Sequence, residues 1–171
     1  MIYEQIEDAI IARLSPALTA AGIDLVKLPE TEAEMERPFE NGRVTVCFKR
    51  ATYGDPGDNR MRSTGNMVQN ETVHIELVVQ SRWLRLPNKG VYDVWDKCRR
   101  GLLGFRPADG DGMYLKEFEF YDKPTGIWSF ASTFCTDRLV VEDYDESEFY
   151  GPNITQITTN DLLNNETEVT P

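Results

Sequence analysis

Two runs of strict alternation constrain this chain more than any other feature. From Arg43 to Arg50, Val44, Val46 and Phe48 fall on one side and Thr45, Cys47 and Lys49 on the other. From Thr72 to Arg82, Val73, Ile75, Leu77 and Val79 point one way. Side chains alternate across a strand, so each run reads as a strand with one buried face. Between them runs Ala51 to Asn70, rich in Gly, Asp and Asn and carrying Arg60 and Arg62. A connection that long inside a compact domain is usually functional or disordered. The pair is therefore expected to form a hairpin with a long projecting arm.

Helical periodicity brackets this hairpin. Ile2, Ile6, Ile10, Leu14 and Leu18 recur every four residues, which predicts an amphipathic helix. Pro16 is expected to kink or restart it, with Ser15 capping the second piece. Gly22 marks its end and Ile23 to Leu28 reads as a short strand. Glu30 to Glu40 is an acidic loop, and Asn41-Gly42 signals a tight turn. A second helix is predicted from Lys89 to Leu103, capped by Asn88, with Val91, Val94, Trp95, Cys98 and Leu102 on one stripe. Met113 to Tyr121 and Ile127 to Thr136 form a second hairpin around a Lys123 to Gly126 turn, and Leu139 to Val141 extends it or adds a short strand.

The expected architecture is α+β: an antiparallel or mixed sheet of four to five strands with two helices on one face, a long hairpin arm and an extended C-terminal tail. The domain is expected to span 1–142. Residues 143–171, acidic and rich in Thr and Asn, read as a separate arm. Tyr, Trp and Phe of the second hairpin are expected on the face away from the helices, where another subunit would cover them.

Charge is segregated. Met1 to Glu40 holds 3 basic and 9 acidic residues, Asn41 to Pro107 holds 12 and 6, and Ala108 to Pro171 holds 3 and 14. The net charges are −6, +6 and −11, giving −11 overall. That total argues against general duplex-DNA binding, which needs a basic surface. A basic middle between acidic ends suits a self-associating protein whose basic region meets a neighbour's acidic region. No apolar run is long enough to span a membrane, and MIYEQIEDAI lacks a signal-peptide pattern, so a cytosolic site of synthesis is expected. Three scattered cysteines, Cys47, Cys98 and Cys135, read as reduced, buried thiols.

The residues offer little chemistry. His74 is the lone histidine, mid-strand and without triad or zinc partners at suitable spacing. Asp109-Gly110-Asp111-Gly112, with Glu119 eight residues after Asp111, resembles part of a calcium loop but lacks the flanking helices and reads as a surface turn. Gly101 and Gly104 are not followed by the Lys-Ser/Thr of a phosphate loop. A non-enzyme with no catalytic residue, cofactor or metal is expected.

Four segments together carry a family resemblance: the helix IYEQIEDAIIARL, the long-armed hairpin RVTVCFKR and TVHIELVVQSR, the helix GVYDVWDKCRRGLLGF and the hairpin GMYLKEFEFYDKPTGIWSFASTFCT. In order and texture they resemble, over roughly residues 1–142, a family from Mu-like phages, long catalogued as a domain of unknown function, that looks like the tail terminators of contractile tails. The resemblance implies a structural virion protein that assembles as a homo-oligomeric, six-membered ring. Such a ring caps the tail tube, stops its growth and offers the neck surface for head attachment. Implied partners are the tail tube protein, the sheath and head–tail connector proteins, with no membrane and no specific nucleic acid, although the genome passes through such a ring. The implied location is the virion, after assembly in the host cytoplasm. Arg50, Tyr53, Arg60 and Arg62, at the base of the arm and along it, are the expected subunit or partner contacts.

Other readings stand beside this one. The part could be another head–tail connector or a tube subunit. In a different class, Arg43, Lys49, Arg50, Arg60, Arg62 and Arg82, with Tyr53 and Trp83, could form a single-strand nucleic-acid face. The acidic ends weigh against it.

Overall fold

The computed structural model describes residues 1–31, 34, 37–55, 68–122 and 126–141. Helix α1 covers Ile2–Thr19 and is followed by strands β1 (Asp24–Lys27), β2 (Gly42–Tyr53) and β3 (Val68–Ser81). Helix α2 (Val91–Leu102) and strands β4 (Tyr114–Asp122) and β5 (Trp128–Val141) complete the order. The five strands form one mixed sheet, β1-β2-β3-β5-β4, in which β1 runs parallel to β2 and every other pair is antiparallel. Two helices on one face of this sheet give the expected α+β fold.

The core forms where the two periodicities meet. Ile6, Ile10, Leu14 and Leu18 of α1 pack with Val44 and Val46 of β2, Val73, Ile75, Leu77 and Val79 of β3, and Val91, Val94, Cys98 and Leu102 of α2. Phe134 of β5 is fully buried in the same cluster. Gly22 adopts a left-handed φ of +67° that ends α1, while the Ile23 N–H donates to the Leu18 carbonyl at 3.0 Å.

Several boundaries differ from the sequence reading. Helix α1 runs unbroken through Pro16, so Ser15 is an interior residue with its Oγ 3.5 Å from Thr19 Oγ1. The buried Leu14 and Leu18 on either side outweigh the one backbone hydrogen bond that proline forfeits. Gly90, not Asn88, caps α2. Asn88 sits in the turn before it at φ +64°, a conformation asparagine tolerates, and its N–H donates to Asp93 Oδ2 at 2.7 Å. Trp95 is half-buried at the edge of the α2 stripe, not inside it. Leu139 to Val141 extend β5, which pairs with β3 along its full length from Ser81↔Trp128 to Val68↔Val141.

The largest correction concerns the aromatic residues. Trp128, Phe130 and Phe134 pair with Ser81, Val79 and Ile75, and Phe118 and Phe120 pair with Ser132 and Phe130. Cross-strand partners share a face. The rings therefore lie on the helix-bearing face, and the opposite face is polar, carrying Thr45, His74, Glu76, Thr133 and Cys135.

Candidate partner interface

Helix α1 packs on β1 and β2, and α2 packs on α1 and β3. The β4–β5 end of the same face receives from α2 the rings of Tyr92 and Trp95. Trp95 stacks on Phe118 with centroids 4.2 Å apart and planes 4° from parallel. Phe118 stacks on Phe130 at 5.4 Å, and Phe120 meets Phe130 edge-on at 5.4 Å. Tyr92 and Trp128 close the group, edge-on to Phe130 and Phe120 at 6.1 and 6.3 Å. The result is one aromatic stripe running from the core to solvent. Phe120 is 52% exposed and Tyr92 42% exposed. Contiguous exposed apolar surface of this kind marks interaction sites, and aromatic residues are enriched in interface cores.

Beside the stripe lies an open sheet edge. β4 is the outermost strand on that side, nine residues long. An edge strand presents unpaired N–H and C=O groups that template pairing with another chain. Exposed Tyr121, at 67%, stands at its end. The opposite edge is β1, only four residues long.

The base of the arm is a second organised region. Tyr3 of α1 and Tyr53 of β2 both donate to Glu71 Oε1, at 2.6 and 2.8 Å, and their hydroxyls are 3.1 Å apart. The Arg138 guanidinium lies 3.4 Å from Glu71 Oε2. Glu71 itself is 2% exposed. Its carboxylate ties α1, β2, β3 and β5 together where the strands run on toward the arm, and the hydrogen bonds to it hold the Tyr3 hydroxyl well above the usual phenol range.

Of the expected contact residues, Arg50 and Tyr53 lie among the described residues and fall on opposite faces of the sheet. β2 carries a register shift between Phe48 and Arg50. Simple alternation puts Arg50 on the same side as Val44, Val46 and Phe48. The bulge moves it to the polar face opposite His74, where it is exposed. Tyr53, opposite Glu71, ends on the helix-bearing face. Arg60 and Arg62 lie outside the described residues. The sequence reading expected the Phe and Trp of the second hairpin as a surface for another subunit but put them on the face away from the helices, and it missed Tyr92 of α2, which joins them.

The polar face holds the one Cys–His contact. His74 Nδ1 is 3.3 Å from Cys135 Sγ, and its Nε2 is 3.2 Å from Thr52 Oγ1. Burial holds the imidazole below its usual range, helped by the charges of Lys116, Arg50 and Lys49, and burial raises the Cys135 thiol. Both shifts favour the neutral pair over thiolate and imidazolium, and both side chains are buried. Cys98 lies in the core, its thiol pushed up to about 12 by burial. Lys49, one of the residues considered for a nucleic-acid face, is paired with Glu76 at 2.6 Å. The Asp109 to Gly112 segment is a turn stitched to β5 by Thr136 Oγ1, which donates to the Asp111 carbonyl at 2.7 Å. Among the described residues, no group of His, Cys, Asp or Glu side chains is arranged to hold a metal ion.

The profile of the Gp37 protein family matches residues 10–161. The chain belongs to the Gp37 family. The match runs past the end of β5 into the acidic segment. None of the curated proteins matches the sequence. Among solved structures, the chain shares its fold with a chain in the virion of a native gene transfer agent particle. The identity is 10% and the TM-score 0.53, over 80% of this chain and 96% of that one. It is also similar to the sheath/tube terminator of an extracellular contractile injection system, 11% identical over 100% of this chain and 73% of that one. The TM-score there is 0.44, at which the likeness carries no argument.

Proposed function

We propose that this Gp37-family chain is a structural subunit of a phage-type tail, and that it caps the tail tube as a homo-oligomeric ring. In this reading the ring is six-membered, stops tube growth and offers the surface on which the head is received. The observation that carries the reading is the aromatic stripe beside an open β4 edge. In this reading a neighbouring subunit covers that surface, and among the described residues the short β1 edge carries no such aromatic stripe. A ring needs such unlike patches, because head-to-tail contacts join two different surfaces. The fold shared with a chain of a virion particle and the resemblance to tail terminators support the same role. The arm following Tyr53 then reaches a neighbour or the tube below, with Arg60 and Arg62 making charge-assisted hydrogen bonds to carboxylates.

The test is to mix the protein with tail tubes and image the products. Tubes should end in a ring of this chain, and their length should stop increasing. Reversing both arm arginines (R60E/R62E) should abolish capping and leave thermal unfolding unchanged. Incorporation along the tube, instead of at its end, would make the chain a tube subunit. A lone subunit at the tube end would end the ring reading.

A further inference from the structure

At the end of the sheet where β5 begins, an open hollow of about 320 Å³ is lined by Arg37, Phe39, Arg43, Gln80, Arg82 and Ile127. Arg43 is 5% exposed; its guanidinium sits 5.2 Å from the centre of the Phe39 ring and donates to the Arg37 carbonyl. Arg37 and Arg82 are exposed. No carboxylate lines this hollow among the described residues; Arg37 and Arg43 also line the adjoining cavity, which holds Asp24, Glu30 and Glu34, and Arg82 lines this hollow alone. The exposed guanidinium groups of Arg37 and Arg82, beside the apolar Pro38, Phe39 and Ile127 and braced by the buried Arg43, suit a peptide that carries carboxylates and aromatic rings, since Arg binds carboxylates through paired N–H donors and stacks on rings.

The chain itself contains such a peptide. Beyond Val141 it has eight Asp or Glu residues and no Lys, Arg or His. Five of those carboxylates fall within Glu142 to Glu148, interleaved with Tyr144 and followed by Phe149 and Tyr150.

Strand geometry decides whose hollow this peptide meets. β5 starts beside the hollow at Trp128 and ends at Val141, thirteen residues on. At ~3.3 Å per residue that is ~43 Å. The nine residues Glu142 to Tyr150 extend to ~32 Å at most. They therefore fall short of the hollow of their own chain. We infer that the segment Glu142 to Tyr150 of one subunit docks in the Arg37–Arg43–Arg82 hollow of a second copy, an acidic strap joining neighbours head to tail. This rests on the ring assembly proposed above and names a contact that holds it.

The experiment uses full-length R37K/R82K protein, which keeps the charge and supplies amines. Equal amounts of unlabelled and ¹⁵N-labelled chain are mixed at high concentration without tail tubes and treated with a zero-length carbodiimide cross-linker. The expected products are links from positions 37 and 82 to Glu142–Glu148, about half of them joining light to heavy chains. Links confined to single chains, links only to other carboxylates, or no links overturn the inference. Full-length R37E/R82E protein should melt as the parent does and lose any salt-sensitive oligomer. An unchanged oligomer mass overturns it, as does oligonucleotide binding that R37E/R82E abolishes in the absence of light-to-heavy links. Because the readout needs no tubes, failure to cap tubes with intact light-to-heavy links would overturn the terminator role alone.

Discussion

One face of one sheet behaves differently at its two ends. Over β2 and β3, the side chains Val44, Val46, Ile75 and Leu77 are 0% exposed beneath α1 and α2. Over β4, Phe118 and Phe120 occupy equivalent positions in the alternation, yet Phe120 is 52% exposed. The difference does not lie in the strands, which carry apolar residues at both ends. It lies in the reach of the helices, since α2 arrives over β4 only through single rings. Burial that a lone subunit leaves incomplete is the mark of a surface meant for another chain. The same apolar pattern thus serves folding at one end and, in the proposed ring, assembly at the other.

Substitutions at the two ends should separate these roles. Phe134, fully buried, belongs to the covered end. Phe134→Ala should cost about 3–5 kcal/mol by denaturant unfolding, the usual range for a large aromatic lost from a core. At the arm base, Glu71→Ala removes the acceptor of two tyrosines and leaves Arg138 without its carboxylate. Hydrogen bonds to a charged group suggest a loss of about 1.5–3 kcal/mol. Trp95 stands at the border between the ends, half-buried and stacked on Phe118. Trp95→Ala should cost about 2 kcal/mol, less than the core value because part of the ring is already in water.

A weaker effect is expected from pH. His74 titrates below its usual range in the folded chain, so the unfolded chain takes up the proton first. Stability contributed by the neutral imidazole is present above the ordinary histidine value of about 6.5 and is lost as pH falls from there toward the folded value. His74→Gln should flatten the acid limb of a melting-temperature profile. The smallest effect on stability belongs to the uncovered end. Phe120→Asp should shift unfolding by about 1 kcal/mol, since half of the ring is already in water and the loss is that of its edge-on contacts with Phe130 and Trp128. Its consequence should appear in assembly, as loss of ring formation or capping. A Phe120→Asp chain that unfolds like Phe134→Ala would place the stripe in the core and erase the distinction.

Period and turn chemistry made most of this fold legible. The fourfold spacing of Ile6, Ile10, Leu14 and Leu18 located α1, and Val73, Ile75, Leu77 and Val79 located the central strand. Three things escaped because no apolar period or turn residue reports them. Which face of β4 and β5 meets the helices depends on β5 sliding between β3 and β4, and that strand order is set by tertiary packing. Which face Arg50 and Tyr53 each take depends on a bulge after Phe48, and nothing in KRATY announces an extra residue. Glu71, an acid inside an alternating strand, became intelligible only once Tyr3, Tyr53 and Arg138 were seen around it. Its spacing from those partners, 68, 18 and 67 residues, lies beyond any local pattern.

The Val68↔Val141 pairing also fixes a point of construction. Where the arm rejoins the sheet and where the C-terminal segment departs are neighbours on adjacent strands, at the end opposite Ser81 and Trp128. A fluorophore attached at Val141 itself would sit beside Val68 and away from the Ser81 and Trp128 end. A donor at position 140 and an acceptor within the arm would therefore report arm docking directly, and the same pair moved to the Gly126 end would serve as its blank.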